Sequence, residues 1–398
     1  MNVPKLRFRG FDIEWNTIDL KNIFNYFSTN SLSRDQLSSN GKVKNIHYGD
    51  IHKKFPTIVD VEKNVNTYIK DINYINKYEL CKNGDLIFAD ASEDYDGIGK
   101  VIEIINIDCD TISGLHTIMA RDIKDIFAPK YKGYYFNSPV IHNQLRIMAN
   151  GFKVYGISKD NIGKLNAKIP SKEEQFKIAK TLELLDRKIE LQTKKIEDLK
   201  LFKKGLFNNN IDDTKNIKLS DILTEVSIKS TINNQYEILS STANGLYLQK
   251  DYFNKQAASE NNTGYKILKR NQLVLSPQNL WMGNININDK YDIGIVSPSY
   301  KIFDIDDNII NIDFFNNWIK SPRALYDYMI SSEQGASVVR RNLNIDLFNE
   351  IIIKVPERNI QDKIGKQIKN INMKIELENR KLDKLNDLKK GLMQNMFV

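Results

Sequence analysis

The sequence predicts an α+β protein (mixed α/β) in which two dissimilar domains are separated by two long antiparallel coiled-coil helices, with a pseudo-twofold axis. Three observations support this prediction. One stretch of the 398-residue chain occurs twice, at 168–207 and at 354–393, and the copies align without a gap, with Pro170 on Pro356 and Gln175 on Gln361. Each copy has the apolar spacing of a long helix. The segments outside the copies contain short strands with flanking helices.

The repeat divides the chain into a first domain at 1–166, a first helix at 167–210, a second domain at 211–353 and a second helix at 354–398. In the first domain a turn, Asn83-Gly84-Asp85, precedes an apolar run at 86–89, and a further strand is predicted at 101–107. Similar landmarks recur in the second domain, where Asn271-Gln272 stands in the place of Gly84-Asp85. Two tandem units of this kind can fold about a twofold axis.

Apolar residues recur at alternating steps of four and three along each repeated stretch. This spacing predicts a helix that packs along its length on a partner helix, although a single amphipathic helix on a globular core would also have an apolar face. One position is polar in both copies, and we expect its two residues to face each other or a nearby lysine and to fix the register. The predicted seam consists of Ile178, Leu182, Leu185, Ile189, Gln192, Ile196, Leu199, Phe202 and Leu206 in the first copy and Ile364, Ile368, Ile371, Ile375, Glu378, Leu382, Leu385, Leu388 and Leu392 in the second.

Composition narrows the class of protein. The formal net charge of +8 favours a polyanionic partner. Two cysteines, Cys81 and Cys109, give neither a disulfide framework nor the spacing of metal ligands, which predicts a reducing compartment, the cytoplasm. The first ten residues lack the apolar core of a signal peptide, and no apolar run approaches the length of a membrane span.

The sequence contains no motif of a fused enzyme. A methyltransferase that acts on adenine would need an Asn/Asp-Pro-Pro-aromatic motif, and an ATP-binding protein would need a glycine-rich loop ending in Gly-Lys-Ser/Thr. His47 and His52 lack the pattern of a zinc protease. Carboxylates cluster at 90–96, but no lysine follows them at the spacing of a nuclease site, which favours a solvated loop. We therefore predict a non-catalytic chain without catalytic residues, cofactor or metal of its own.

Several motifs occur at matched places in the repeat. Pro-x4-Gln-x2-Ile begins each helix and Lys-Lys-Gly-Leu ends it, while the first domain contains His-Tyr-Gly-Asp-Ile and Gly-Asp-Leu-Ile-Phe. These motifs occupy 170–178, 356–364, 203–206, 389–392, 47–51 and 84–88. With the repeat, they give nearly the whole chain a layout that resembles the specificity subunit of a type I restriction–modification system. The second domain departs from the pattern, because Asn271-Gln272 replaces Gly-Asp and no counterpart of His-Tyr-Gly-Asp-Ile is visible.

The resemblance implies that each domain is a target-recognition domain that reads one half of a bipartite site in double-stranded DNA. It implies that the helices set the gap between the half-sites and dock two methyltransferase subunits, with two motor-nuclease subunits joining for restriction. In such systems S-adenosylmethionine, ATP and Mg²⁺ belong to the partner subunits. The chain would thus be the non-catalytic specificity subunit of a host-defence complex.

Candidate DNA-contacting residues follow from their chemistry. Base edges are read by Arg, Lys, Asn, Gln and small polar side chains, and phosphates are bound by Lys and Arg. The alternative for each candidate is a solvated loop or a packed side chain. The candidates are His47, Tyr48, Arg121, Lys130, Lys132, His142, Asn143, Gln144 and Arg146 in the first domain and Gln278, Asn279, Arg340 and Arg341 in the second.

Two other functions remain open at this point. The chain could be a coiled-coil scaffold whose domains bind proteins, not DNA. A salt-dependent affinity for duplex DNA would distinguish a DNA-reading subunit from such a scaffold. It could also be a stand-alone enzyme that acts on DNA, which a cofactor motif would indicate.

Overall fold

The computed structural model describes residues 3–74, 77–95, 97–149, 151, 154–208, 214–252, 261–334 and 341–398. The chain forms two compact units, Met1–Thr193 with Arg380–Val398 and Lys194–Asn379. Each unit contains one domain and a part of each long helix. Both combine short strands with flanking helices, which confirms the predicted α+β class. None of the described helices meets the length and hydropathy of a bilayer-spanning segment.

Two sheets form the framework of the first unit. The larger has the strand order Phe24–Phe27, Thr117–Asp122, Leu86–Ala89, Val101–Ile105 and Ile58–Asp60, and the smaller has the order Thr111–Ser113, Lys44–Ile46, Tyr68–Ile69 and Leu37–Ser38. Two further strand pairs join Asn16–Ile18 to Ala167–Ile169 and Ala91–Ser92 to Tyr155–Gly156. All four residues of Leu86–Ala89 are buried, as expected for a central strand that is covered on both faces.

The first domain and the long helices share one core. Tyr131, Tyr135 and Phe136 pack there with Leu182 of the first long helix and with Phe397 near the C-terminus. The helices of the domain are Tyr48–Lys53, Val61–Asn64, Tyr131–Phe136, Pro139–Met148 and Lys159–Gly163, with 3-10 turns at Leu20–Asn22, Arg34–Gln36 and Ile72–Tyr74.

The second unit is built on a four-stranded sheet. Its strand order is Leu223–Val226, Lys301–Ile305, Leu273–Leu275 and Ile285–Ile287. Strand pairs join Thr214–Lys218 to Ile352–Pro356, Leu239–Thr242 to Gly245–Leu248, Lys266–Lys269 to Ile293–Val296 and Ser332–Gln334 to Arg341–Leu343. The helices are Leu219–Ile222, Gln249–Tyr252, Ile312–Trp318, Pro322–Ile330 and Ile345–Asn349, with a 3-10 turn at Leu280–Met282. Phe314, Phe315 and Tyr328 fill the core together with Ile364 and Ile368 of the second long helix.

The two domains share the order of their elements. In each, the opening strand pairs antiparallel with the strand that leads into the following long helix: Asn16–Ile18 with Ala167–Ile169, and Thr214–Lys218 with Ile352–Pro356. The central strands pair with equivalent neighbours as well. The chain therefore enters and leaves each domain through one two-stranded ribbon. The two domains are connected to their long helices in the same way, as the repeat in the sequence indicates.

The two long helices are Lys172–Asn208 and Arg358–Asn395. Each begins two residues after the proline of its motif, Pro170 or Pro356. The proline therefore lies outside the helix, where its missing N–H group costs no helical hydrogen bond. Within the first unit, Ile178 near the start of the first helix and Met396 just beyond the second share a core. The helices therefore run antiparallel there.

The predicted seam is the buried face of both helices, with one exception. The seam positions through Leu199 and Leu385, and Leu206 and Leu392 at the ends, are buried or half-buried. Phe202 and Leu388 were assigned to the seam because they are apolar, but they are 59% and 51% exposed. The alternating spacing continues instead through the half-buried Lys203 and Lys389. Burial lowers the pKa of Lys203, and Lys389 Nζ lies 2.5 Å from Asp186 Oδ1.

The polar seam position of the second helix is occupied by a buried glutamate that pairs with an exposed lysine. Glu378 is buried, and its Oε1 accepts a hydrogen bond of 2.9 Å from Lys195 Nζ of the first helix. A neighbouring lysine is one of the two partners that the sequence leads us to expect. Gln192, the equivalent residue of the first helix, is half-buried.

The glutamine of each Pro-x4-Gln motif joins its helix to its domain. Gln175 Oε1 accepts from Ala128 N–H (2.8 Å), and its amide donates to the carbonyl oxygens of Ile126 (3.2 Å) and Pro170 (3.0 Å). A fully buried polar side chain is stable when its groups are paired in this way.

The second copy has the same arrangement. Gln361 Oε1 accepts from Asn311 N–H (2.8 Å), and its amide donates to the carbonyl oxygens of Ile309 (3.4 Å) and Pro356 (2.9 Å). In both units the acceptor and donor on the domain lie two residues apart in the loop that follows the last strand of the sheet. The motif therefore encodes one latch that is used twice.

Candidate DNA interface

The His-Tyr-Gly-Asp-Ile motif follows the buried strand Lys44–Ile46 and forms a short helix, Tyr48–Lys53. His47 is buried at the start of this helix, where its Nδ1 accepts from Gly49 N–H at 3.1 Å. Burial, and then the Arg34 cation, lower the pKa of His47, which favours the neutral imidazole that can accept this bond. The structure thus places His47 as a helix cap.

The aspartate of the motif binds two cationic side chains, and the glycine leaves room for one of them. The Asp50 side chain is 1% exposed, and its Oδ1 lies 3.2 Å from Arg34 Nη2 and 3.0 Å from Lys54 Nζ. A Cβ at Gly49 would lie 2.9 Å from Arg34 Nη2, so a larger residue would displace the guanidinium. Glycine at this position therefore permits the close approach of Arg34.

Tyr48 is half-buried among imidazole rings. The centroid of its ring lies 4.7 Å from that of His47, 5.2 Å from that of His116 and 6.2 Å from that of His52. His116 has a left-handed backbone (φ 55°), and its Nδ1 lies 3.3 Å from Asp90 Oδ1. We call Arg34, His47, Tyr48, Asp50, Lys54 and His116 the arginine corner. Within the described residues, no group of three His, Cys, Asp or Glu side chains is arranged to hold a metal ion.

Arg121 has a structural role. Its Nε and Nη2 donate to the two carboxylate oxygens of the buried Asp85 at 2.9 and 2.8 Å, and its Nη1 donates to Glu79 at 2.7 Å. Its guanidinium also lies over the ring of Phe27, 4.7 Å from the centroid. A side chain held by two carboxylates cannot turn toward DNA without breaking these contacts. The Gly-Asp motif therefore supplies the aspartate that fixes Arg121.

The second domain builds the same turn from other residues. Gly84 and Asn271 both have a left-handed backbone, with φ of 86° and 65°, which glycine and asparagine tolerate best. Asp85 accepts from Lys82 N–H at 2.7 Å, and Gln272 accepts from Lys269 N–H at the same distance.

The residue that pairs with this position from the neighbouring strand also differs between the two domains. Gln272 donates to Asp304 at 2.7 Å, in the place where Asp85 accepts from Arg121. The departure from Gly-Asp in the second domain therefore preserves the geometry of the turn.

Lys130 links the domain to its helix, and Lys132 is buried within the domain near Glu103. Lys130 Nζ is 2.5 Å from Glu183 Oε1 of the first long helix, and its N–H donates to the buried Glu103 at 2.8 Å. Lys132 is only 7% exposed. Burial raises the pKa of Glu103, while the positive charge of Lys132 acts in the opposite direction. These contacts give both lysines a role in packing.

The candidates at 142–146 belong to the helix Pro139–Met148, not to a loop. Gln144 accepts from Asn166 N–H at 2.8 Å, which ties this helix to the chain that enters the closing strand. Arg146 lies over the ring of Tyr95 at 4.7 Å, His142 is half-buried, and Asn143 is exposed.

The structure brings the described candidates of the second domain together. Arg341 N–H donates to the carbonyl oxygen of Gln278 at 3.4 Å, and Leu343 N–H donates to that of Pro277 at 3.1 Å. Gln278 is exposed, Asn279 is half-buried, and Arg341 Nη2 donates to the Ser332 carbonyl at 3.2 Å. Arg340 lies outside the described residues.

Comparison with known proteins identifies a family domain within the chain. Residues 12–201 match the family model of the type I restriction modification DNA specificity domain. The chain carries this domain at those positions. Its fold is similar to that of the S subunit of a type I restriction–modification system from M. genitalium, with a TM-score of 0.59, 15% identity and coverage of 100% of this chain and 99% of that chain.

A second solved chain has the same fold. It belongs to a structural study of complex assembly and conformational transition of the type I R-M system, and it matches with a TM-score of 0.50 at 12% identity over 98% of this chain and 96% of that chain. The matched domain and the likeness of fold both agree with the resemblance that the repeat and its motifs indicate.

Sequence reasoning missed three residues of the arginine corner. Arg34 and His116 come from separate parts of the chain, and the fold brings them to one short helix, which Lys54 directly follows. One signal was available. A glycine followed by an acidic residue after a helix-capping histidine indicates a crowded cation site, because glycine leaves room and the carboxylate needs a partner.

Proposed function

We propose that this chain is the specificity subunit of a type I restriction–modification system, that each of its domains reads one half of a bipartite DNA site, and that the chain itself is non-catalytic. The observation that supports this most directly is the repeated latch, in which Gln175 and Gln361 make equivalent hydrogen bonds to their own domains. Equivalent mounting of two domains with different surface residues is what a split and asymmetric recognition site requires.

The long helices are the proposed docking elements for the rest of the complex. We propose that two methyltransferase subunits bind the specificity subunit and that two restriction subunits join this core. S-adenosylmethionine, ATP and Mg²⁺ would then be bound by these partners. This assignment agrees with a sequence that has neither a phosphate-binding loop nor a methyltransferase motif.

An exchange of domains tests the proposal. Residues 1–166 are replaced by the equivalent domain of another type I specificity subunit, and the methylated motif is read by sequencing DNA from cells that also express the methyltransferase subunit. We expect one half of the motif to change while the other half is retained. The reciprocal exchange of residues 211–353 is the matched control and should change only the other half. A change in both halves after either exchange would refute modular reading.

A further inference from the structure

Arg34 is an exposed cation whose position is fixed from behind. Its side chain is 53% exposed, and Nη2 lies 3.2 Å from Oδ1 of Asp50, whose own side chain is 1% exposed. The backbone is fixed as well, because Arg34 begins a 3-10 turn in which Gln36 Oε1 accepts from Ser33 N–H at 3.0 Å. Both ends of this long side chain are therefore held in place.

This arrangement leaves hydrogen-bonding capacity toward solvent. A guanidinium has five N–H donors in one plane, and the bond to Asp50 engages one of them. Arginine recognises guanine through two parallel donors to O6 and N7 in the major groove. An arginine that a buried carboxylate orients in advance gives up less side-chain freedom when it makes such a contact.

The corner also carries excess positive charge. Arg34 and Lys54 share a single carboxylate oxygen of Asp50, and the Lys54 side chain is 64% exposed. Lys53 is exposed next to it. Asp50 alone cannot neutralise both of the cations that it contacts, so Arg34 and Lys54 together attract a polyanion. A duplex supplies both a guanine edge and a neighbouring phosphate.

We propose that Arg34 reads a guanine in the half-site of the first domain and that Lys54 contacts an adjacent phosphate. The proposal rests on the proposed function and adds to it a specificity-determining residue. Asp50 and Gly49 act as positioning residues. Asp50 binds the guanidinium, Gly49 leaves room for it, and neither residue contacts the DNA. His47 supports them by capping the helix that contains Gly49 and Asp50.

The test uses the complete specificity subunit in complex with its methyltransferase partner. For Arg34→Ala we expect one guanine in one half-site to be relaxed, with discrimination at that base pair falling roughly 10- to 100-fold in competition binding. The other half-site stays unchanged. Arg34→Gln keeps a polar side chain beside Asp50 but lacks the charge and the two parallel donors that guanine accepts, so it should relax the same base. It provides the test if Arg34→Ala does not fold.

Lys54→Ala is the matched control from the same corner. It should weaken binding to all sequences equally and reduce the slope of log affinity against log salt by about one, with the methylated motif unchanged. If Arg34→Gln has no effect on either half-site, or weakens all sequences equally, the assignment of Arg34 is overturned.

These outcomes separate the two proposals. If the exchange of residues 1–166 still redirects one half of the motif while the Arg34 variants do not relax it, only the role of Arg34 fails. If the exchange itself leaves the motif unchanged, the proposed function fails.

Discussion

At the scale of single residues, one buried glutamine connects each long helix to its domain. We predict that Gln175→Leu lowers the free energy of unfolding by about 1–3 kcal/mol, because the buried Ala128 N–H loses its acceptor. Gln361→Leu is the matched variant in the second unit and should have an effect of similar size at Asn311. Chemical denaturation measures the change, and hydrogen exchange at Ala128 or Asn311 locates it. Unchanged protection at both amides would contradict the latch.

His47 should make the stability of the first domain depend on pH. Its pKa is lowered in the folded state by burial and Arg34, with His116 acting in the same direction and Asp50 against them. The unfolded chain therefore binds a proton more readily, so stability is greatest above about pH 6.5 and falls as the pH drops below it, until the folded imidazole is also protonated.

The variant His47→Asn isolates this contribution. Asparagine is a good helix N-cap and does not titrate, so the variant should retain the helix but lose part of the fall in melting temperature between about pH 7 and about pH 5.5. Melting curves of both proteins across this range measure the difference. If the two proteins lose stability in parallel on acidification, His47 is not the group that titrates.

The limits of sequence reasoning are clearest for Arg121. Its residue type suits DNA contact, and the alternative of a packed side chain was open. The choice depends on strand register, because the pairing that puts Ala120 opposite Leu86 also puts Arg121 beside Asp85. Two residues so distant in sequence become neighbours only through long-range pairing, which local pattern does not specify. For the same reason the arginine corner was not visible as a cluster.

At the scale of elements, the helices were the most predictable part of the fold. An apolar spacing that persists over many turns defines one face of a helix regardless of its surroundings, and the seam follows it. The error at Phe202 and Leu388 has a simple cause. The alternating spacing places Lys203 and Lys389 on the buried face, whereas the prediction selects the neighbouring apolar residues Phe202 and Leu388. Lysine can occupy such a site because its aliphatic stem packs while its ammonium group reaches solvent or a carboxylate.

The buried Glu378 in the seam leads to a prediction about stability, because its partner Lys195 is 50% exposed and can be solvated without it. Removing a desolvated charge from a helix interface and replacing it with a packed apolar side chain is often stabilising. We expect the double variant Gln192→Leu, Glu378→Leu to melt at a higher temperature but to hold its register less uniquely. Calorimetry measures the first effect, and disulfide trapping between cysteines introduced along the two helices measures the second. A lower melting temperature would show that the polar residues stabilise the seam.

At the scale of the whole molecule, the two ribbons make the domains exchangeable. Asn16–Ile18 pairs with Ala167–Ile169, and Thr214–Lys218 pairs with Ile352–Pro356, so a domain can be replaced at its ribbon without cutting its main sheet. A chain in which residues 214–356 are replaced by a copy of residues 16–170 would carry two identical reading domains on two antiparallel helices.

The orientation of the site read by this duplicated chain reports the symmetry of the molecule. If the two units are related by the proposed pseudo-twofold axis, the methylated motif will consist of two inverted copies of the first half-site. A translational relation would give two direct copies instead, and it would refute the axis. The reciprocal chain, with two copies of the second domain, should methylate inverted copies of the other half-site. Because both chains keep the helices, a difference in gap length between their motifs would show that the domains, and not the helices alone, set the spacing.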